Sequence, residues 1–442
     1  MTVRVRIFLW LWSALFSLGV PLILAYLLLR ARKDRAYREK LLERFGVYSE
    51  ARPADVWIHA VSLGELRSAV PLVKAFLAQN KRVVITCFTP AGRQEAARVF
   101  AQEIAAARVS LVWVPLELAW VWRRFLRRFR PQFGLVMEIE IWPRMVFAAR
   151  AASVPLFMCN AQYPSKSVAR DSKGLRLRQH VMRGFAGAFV KSELQARRFE
   201  AVGVQNIAVM GELRFDQPVP PGLVRAGLAA RRALGLETRP VVAFVSTIEG
   251  EDAVYLEAMK RLAARRADMF FIYVPRRPER FDMVAEQIEA AGFKLIRRSA
   301  GFAETLSETE PVAALPAGTQ VLLGDSLGEM YFYLALACRV VVGGGFSPKG
   351  AHNIIEPLAL GKPVVTGPET FTIEYPFEEA AQAGVAQSVA DVGALVAALD
   401  SATPPSEAQI AAFFADHAQS VPRFLNALPS TLAAARRGSG GA

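Results

Sequence analysis

Histidine and cysteine are scarce in this chain, with four and three among 442 residues. Three cysteines (Cys87, Cys159 and Cys338) give no even set for a disulfide framework, and none has the C-x-x-C spacing of a zinc or redox site. All three lie in apolar, strand-like runs and read as reduced core residues of a cytosol-facing protein. So few histidines make a metal cluster hard to assemble, and no metal or other cofactor is expected. Acidic side chains are also in deficit, 40 against 54 Lys and Arg, for a formal charge of +14. An excess of that sign suits nucleic acid, an acidic membrane surface or a phosphorylated substrate. No RNA- or DNA-binding motif is present, and the arginines are scattered rather than gathered in one stripe. Nucleic acid is therefore not expected as a partner, and a membrane surface is favoured. No Ser-His-Asp or Cys-His set can be defended from spacing.

Charge is absent altogether from Ile7 to Leu29, while Arg30, Arg32, Lys33, Arg35 and Arg38 follow at once. About 20 apolar residues suffice to span a bilayer, and the basic cluster marks the following side as cytoplasmic. A signal peptide would have a shorter apolar core and a small-residue cleavage site, which is missing before the basic run. Residues 1–35 are thus expected to be a retained membrane anchor. Pro21 can kink such a helix, so a segment lying in the interface stays as the alternative.

After a basic amphipathic stretch, Ala36 to Phe45, runs rich in Val, Ile and Phe alternate with helix-period segments. Strands are expected at Val56–Val61, Arg82–Phe88, Val109–Pro115, Phe133–Trp142, Pro155–Asn160 and Ala186–Val190. A second series follows at Val241–Thr247, Met269–Pro275, Lys294–Arg297, Val321–Gly324, Val340–Gly343 and Pro363–Thr366. Such alternation argues for parallel sheets covered on both faces. The Pro-rich stretch Gln217–Gly222 reads as a break between domains. The expectation is an α/β chain of two Rossmann-like, doubly wound domains, 36–216 and 226–428. A linker at 217–225 joins them, a flexible tail covers 429–442, and ligands bind at the carboxyl ends of the strands in an interdomain cleft.

Several motifs fall at those strand ends. Gly324-Asp-Ser-Leu-Gly-Glu329 and Val340-Val-Val-Gly-Gly-Gly-Phe-Ser-Pro-Lys-Gly-Ala-His-Asn-Ile-Ile-Glu-Pro357 each run from strand into glycine. The second leads to a helix opened by Asn353 and carrying Glu356. It offers backbone N–H groups and a helix N-terminus to a phosphate, and a carboxylate to a ribose. It is neither a Walker loop nor a G-x-G-x-x-G turn; a nucleotide-sugar site is the reading it favours. Glu65, in His59-Ala-Val-Ser-Leu-Gly-Glu65, either complements a helix dipole or acts as a general base at a strand end. Glu138 and Glu140, two residues apart, are expected on one face of the strand ending at Trp142, either catalytic or paired with arginines. Arg276 and Arg277 follow a strand directly and suit a phosphate, unless they are a solvated charge run. Arg214, just before the linker, is a weaker candidate of the same kind. His352 either donates to a phosphate or braces its loop.

Taken together and in this order, the motifs resemble those of the bacterial Kdo transferases, which add 3-deoxy-D-manno-octulosonic acid to the lipid A precursor. The resemblance includes Phe88-Thr-Pro-Ala-Gly92, Met137-Glu-Ile-Glu-Ile-Trp-Pro143, Asn160-Ala161, Ser246-Thr247, Glu249-Gly-Glu251, Pro275-Arg276 and Gly361-Lys-Pro363 beside the motifs above. It implies a GT-B glycosyltransferase at the cytoplasmic face of the inner membrane, inverting and metal-independent. CMP-Kdo would be the donor, and a phosphorylated glucosamine disaccharide lipid the acceptor. It also implies Glu65 as the catalytic base, Glu138 in a transition-state role and Arg214 in place of a usual Lys. Nucleotide contacts fall on Pro275, Arg276, Leu327, Gly328, Glu329, Asn353, Ile354, Ile355 and Glu356. The chain departs from the pattern at Ile248 and Arg277, where His is usual, and at Ala351, Arg144, Gln162 and Tyr163. Those departures bear on donor and acceptor choice.

Overall fold

The computed structural model describes residues 3–32, 34–49, 52–174, 176–309 and 315–439. The chain forms two units, Met1–Gln217 with Gln419–Ala442, and Pro218–Ala418.

The first unit carries seven strands: β1 (Val56–His59), β2 (Val83–Cys87), β3 (Val109–Trp113), β4 (Phe133–Met137), β5 (Leu156–Ala161), β6 (Gly187–Val190) and β7 (Ile207–Val209). Their order is β3-β2-β1-β4-β5-β6-β7, and every pairing is parallel. Helices cover both faces, so the central strands are buried on both sides, as their unbroken apolar runs require. The order reverses between β1 and β4, and the loops leaving those strands are where a doubly wound sheet takes its ligands.

The second unit repeats the plan with β8 (Val241–Thr247), β9 (Phe270–Pro275), β10 (Leu295–Arg297), β11 (Val321–Leu323), β12 (Arg339–Val342), β13 (Val364–Thr366) and β14 (Ala386–Ser388). The order β10-β11-β9-β8-β12-β13-β14 puts the reversal between β8 and β12. The loop after β12 is the glycine-rich one. The short edge strands β7 and β14 were not expected; β7 is half-buried and β14 mostly exposed, so neither carries the apolar run of an inner strand. β4 stops at Met137 rather than Trp142, because Glu138 turns into the left-handed region at φ 56°.

The N-terminal helix runs unbroken from Val3 to Arg30 with Pro21 inside it. It is long and apolar enough to cross a membrane by length and composition. One stripe faces the first unit: Val5, Leu9 and Leu27 are buried, and Phe16, Val20 and Ile23 pack on Leu116, Leu118 and Val121. The opposite stripe, with Trp10, Leu15, Leu18 and Leu22, is exposed and apolar.

The expected C-terminal boundary and tail need correction. Ser420–Ser439 is a helix of the first unit, whose Phe424 packs against Phe76 and Phe189. The Asp216 carboxylate accepts from the Ser420 and Val421 N–H groups at 3.1 and 2.6 Å. Val421, Phe424, Leu428, Leu432 and Ala435 recur at helical spacing, a pattern obscured by the Gly-rich last residues. The expected linker is shorter too, since a helix begins at Pro221, where proline suits a first turn. Of the cysteines, Cys87 and Cys159 are buried as expected, but Cys338 is exposed in the turn before β12.

Candidate active site

In the first unit the turn after β1 brings Glu65 onto the first turn of the Leu63–Ala78 helix. Ser62 caps that helix, and its hydroxyl donates to Glu65 Oε1 at 3.1 Å, while the Val61 N–H donates to Oε2 at 2.8 Å. The Ser62 hydroxyl also accepts from the Glu65 N–H at 3.3 Å, so Ser-x-x-Glu acts here as a capping box whose carboxylate takes the N–H one residue before the N-cap. The sequence carried that signal at Ser62 in plain view, and it gives Glu65 a structural duty beside any chemical one. Glu65 is only 7% exposed. Burial pushes its carboxyl up to about 8; the charges of Glu140 and Glu138 push the same way, against the hydrogen bonds from Val61 and Ser62. Such a group takes up a proton readily once ionised, and so suits a general base.

His59, five-atom ring fully buried beneath this turn, is structural. Its Nδ1 lies 2.8 Å from Thr86 Oγ1, and burial drives its pKa down to about 3. The loop after β4 supplies the neighbouring carboxylates. Because Glu138 is in the left-handed region, Glu138 and Glu140 lie in a loop and not on one strand face. Glu140 accepts from Trp142 Nε1 at 2.7 Å, and burial, opposed by that bond, raises its pKa. Glu138 pairs with Arg214 at 3.5 Å, joining two of the expected residues. Arg214 stands on a short 3₁₀ turn, Leu213–Asp216, anchored beneath by the buried Lys191–Glu212 pair at 2.5 Å. Asn160 Nδ2 also donates to Glu212 at 2.8 Å and its Oδ1 accepts from Leu213 N–H at 3.0 Å.

In the second unit, Pro275 ends β9 and Arg276 leaves it, with its N–H on the Thr247 carbonyl at 3.0 Å. Arg276 lies 3.0 Å from the ring nitrogens of His352. Burial, then the charges of Arg276 and Lys349, lower the His352 pKa to about 4, so the ring is neutral at pH 7 and accepts from the arginine. These residues line a cavity of about 280 Å³ together with Ile248, Glu249, Arg277, Lys349, Gly350 and Thr372. Three cations and a neutral imidazole, against one carboxylate, make it a fitting place for a phosphate. Two positions that depart from the family pattern, Ile248 and Arg277, are in its wall.

The glycine-rich loop itself differs from expectation. Its N–H groups are not bare: the fully buried Glu251 accepts from Gly344 at 2.8 and 2.7 Å, from Phe346 at 3.0 Å and from Ile248 at 3.2 Å. The glycines allow backbones to meet. A Cβ at Gly344, where φ is +95°, would stand 2.3 Å from the Gly350 carbonyl oxygen. Asn353 does open a helix, its Oδ1 accepting from Ile355 N–H at 3.0 Å, but that helix has only five residues. Ile354 and Ile355 are buried, so only their backbone can meet a ligand. Glu356 raises the pKa of Tyr331, after burial as the larger cause, so the two side chains are near. Tyr331 belongs to the Met330–Leu336 helix that directly follows Glu329 and packs on the helix of Glu356. Leu327 is 66% exposed and Gly328 sits at φ 81° in the turn before it. Glu329 is held by Arg298 Nε and Nη2 at 2.9 and 2.7 Å.

Sequence reasoning assigned no role to Glu117, Glu251, Arg280 or Arg298, all buried charges, although Glu251 stands in one of the motifs quoted above. Arg280 ties the turn after β8 to that after β9, through the Thr247 carbonyl at 2.7 Å and Asp252. Nothing in their local pattern separates them from surface charges. Of the other departures, Arg144 reaches the N-terminal helix, while Gln162, Tyr163 and Ala351 are buried.

A family model described as 3-deoxy-D-manno-octulosonic-acid transferase (kdotransferase) matches residues 39–217. The chain is 38% identical over 427 residues to the 3-deoxy-D-manno-octulosonic acid transferase of Bordetella pertussis, covering 93% of this chain and 96% of that one. It is 30% identical over 367 residues to the enzyme of that name from Haemophilus influenzae, covering 81% and 82%. Among solved structures, UDP-GlcNAc 2-epimerase from Neisseria meningitidis bound to UDP-GlcNAc aligns with a TM-score of 0.53. That alignment covers 85% of this chain and 99% of that one at 12% identity, a likeness of fold alone. The fold class is GT-B, two doubly wound parallel-sheet units with an apolar helix before them.

Proposed function

The chain belongs to the 3-deoxy-D-manno-octulosonic acid (Kdo) transferase family, and from that premise we propose that it moves Kdo from CMP-Kdo to a phosphorylated lipid A precursor. It is a glycosyltransferase; in this reading it inverts the anomeric centre, uses no metal ion and works at the cytoplasmic face of the inner membrane. The Glu65 carboxyl carries the proposal. It is buried at the carboxyl end of β1, held by Val61 and Ser62, and raised to about 8.

Kdo has no hydroxyl at C3 and bears a carboxylate on its anomeric carbon, so its bond to phosphate breaks through an oxocarbenium-like state. Glu65 takes the proton of the attacking acceptor hydroxyl as the new carbon–oxygen bond forms. CMP departs with the electrons of the old bond, and fixed cations receive its phosphate charge. Arg276 and Lys349 line a cavity fit for that phosphate, and Arg214, paired with Glu138, is the cation of the first unit's site. Asn353 to Glu356 and Leu327 to Glu329 are the proposed contacts to the rest of the nucleotide. In this reading the arginines and the lysine neutralise the departing phosphate.

The N-terminal helix supports the membrane assignment. Buried residues recur along it from Val5 to Ala31, and its other stripe, with Trp10, Leu15, Leu18 and Leu22, is apolar and exposed, as a membrane anchor requires. A basic surface then holds an acceptor bearing phosphates at an anionic membrane. A second reading, transfer of another nucleotide-activated sugar, is favoured by Ile248 and Arg277, which replace two family histidines in the donor cavity. Purified full-length enzyme incubated with CMP-Kdo and lipid A precursor, its lipid product read by mass spectrometry, separates the two. Kdo-bearing lipid is expected, and its absence under every condition would defeat the first reading.

A further inference from the structure

The N-terminal helix meets the carboxylate loop of the first unit through one buried side chain, Glu117, which is 2% exposed. Its Oε2 accepts from Trp12 Nε1 of the N-terminal helix at 3.2 Å and from the Arg144 N–H at 2.9 Å. Its Oε1 accepts from Trp122 Nε1 and from the Met145 N–H, both at 3.0 Å. Arg144 and Met145 are the second and third residues of the Pro143–Ala151 helix, whose N-cap residue, Trp142, supplies no side-chain cap. Glu117 therefore caps that helix from a distant segment. Trp142 in turn donates to Glu140 at 2.7 Å, and its ring stands edge-on to His59 and Phe88. Arg144 closes the link from the other side, with its Nε on Ser13 Oγ and its Nη2 on the Leu9 carbonyl.

We propose that Glu117 is a positioning residue: it fastens Trp12 of the N-terminal helix to the helix start that fixes the Glu138–Trp142 loop, so that seating of the N-terminal helix sets the carboxylates around Glu65. A buried carboxylate held by two indole and two backbone N–H donors, with the Arg144 guanidinium as a charged neighbour, depends on each of those donors. When the N-terminal helix unseats, Glu117 loses the Trp12 donor, and Arg144 loses both acceptors on Ser13 and Leu9. The cap of the Pro143 helix loosens, and Trp142 and Glu140 move with it. Attachment of the apolar helix to lipid is thereby linked to turnover. The turnover half of this inference rests on the role proposed for Glu65; the linkage half does not.

The test uses the full chain in phospholipid vesicles, with Trp12→Phe, Glu117→Gln and the double variant. Trp12→Phe keeps an aromatic ring and removes one donor, so it decides the matter even if Glu117→Gln fails to fold. Amide hydrogen exchange over residues 138–146 should quicken about tenfold in either variant, the equivalent of about 1.4 kcal/mol for one bond to a charged group. The double variant should be no faster than the worse single one. The kcat should fall by a similar factor with KM for CMP-Kdo unchanged, because the donor contacts lie in the second unit. Unchanged exchange in Trp12→Phe, or fully additive effects, overturns the proposal. A wild type that transfers no Kdo defeats the functional reading, while the exchange measurement still decides the linkage.

Discussion

Replacing Glu65 by Gln removes one ionisation and keeps nearly everything else. Glutamine is also a capping-box residue: its carbonyl oxygen can accept from the Val61 N–H, while its NH2 donates to the Ser62 hydroxyl where the carboxylate accepted from it. The wild-type carboxyl is raised from 4.5 to about 8, by burial first and then by Glu140 and Glu138. A gap of that size corresponds to about 5 kcal/mol, an upper figure for a buried group with charged neighbours. The sign follows from proton counts. Between pH 4.5 and 8 the folded protein holds a proton that the unfolded chain has released, so stability is full below that window and is lost as pH rises through it. The variant lacks this loss. Thermal melts of both proteins from pH 4.5 to 9 should therefore diverge in favour of Glu65→Gln up to about pH 8 and then run parallel, at roughly 2–4 °C per kcal/mol for a unit of this size. In the transfer assay, wild-type kcat/KM should climb about tenfold per pH unit below 8 and level above it. The variant should lose roughly 10²–10⁴-fold at the plateau. Melting curves parallel throughout, or a variant as fast as the wild type, would refute the assignment.

Three further outcomes are expected. Arg276→Ala should raise KM for CMP-Kdo by about tenfold or more, as loss of a phosphate-facing arginine does, with little change in melting temperature because the residue is exposed; an unchanged KM would remove it from the donor site. Gly344→Ala should destabilise the second unit by about 2 kcal/mol or more, since φ is +95° and the new Cβ would meet the Gly350 carbonyl at 2.3 Å; denaturant melts measure it, and a neutral substitution would mean the loop can reshape. Treatment with a strong chelator should leave Kdo transfer at its original rate, and a loss restored by a divalent cation would overturn the metal-independent mechanism.

Much of the architecture was legible because doubly wound sheets write long apolar strands between amphipathic helices. Twelve strands stood out by composition, whereas β7 is half-buried and β14 mostly exposed, so neither shows an inner strand's apolar run. The end of β4 was misjudged because a strand can be stopped by one residue: Glu138, at φ 56°, turns the chain while apolar alternation continues through Ile141. The last helix was hidden by its own Gly-rich terminus, although Phe424 and its helical partners were there to be read. Buried charges were illegible in principle, for their partners are remote: Glu117 meets Trp12 across 105 residues and Glu251 meets Phe346 across 95.

The two units place a glutamate at the same point, at or just before the helix that follows the strand beside the switch point, and use it in opposite ways. Glu251, after β8, is fully buried, and its oxygens are taken up by Gly344, Phe346, Ile248 and the Tyr255 hydroxyl. Saturated in this way, it has no lone pair free for a reacting proton and serves as the clamp that closes the glycine-rich loop. Glu65, after β1, accepts from one backbone N–H and one hydroxyl, and has two further carboxylates for neighbours. Burial first, and then the charges of Glu140 and Glu138, raise its proton affinity, and with only two donors it keeps lone pairs free for a reacting proton. Topology thus supplies the position twice, and the number of donors converging on each carboxylate decides which one can do acid–base chemistry. Introducing a third donor beside Glu65, by changing Glu140 to a lysine, should pull the acid limb of the rate profile below pH 8 and lower the rate above it; a limb that stays at 8 would show that burial alone, not its neighbours, sets the base.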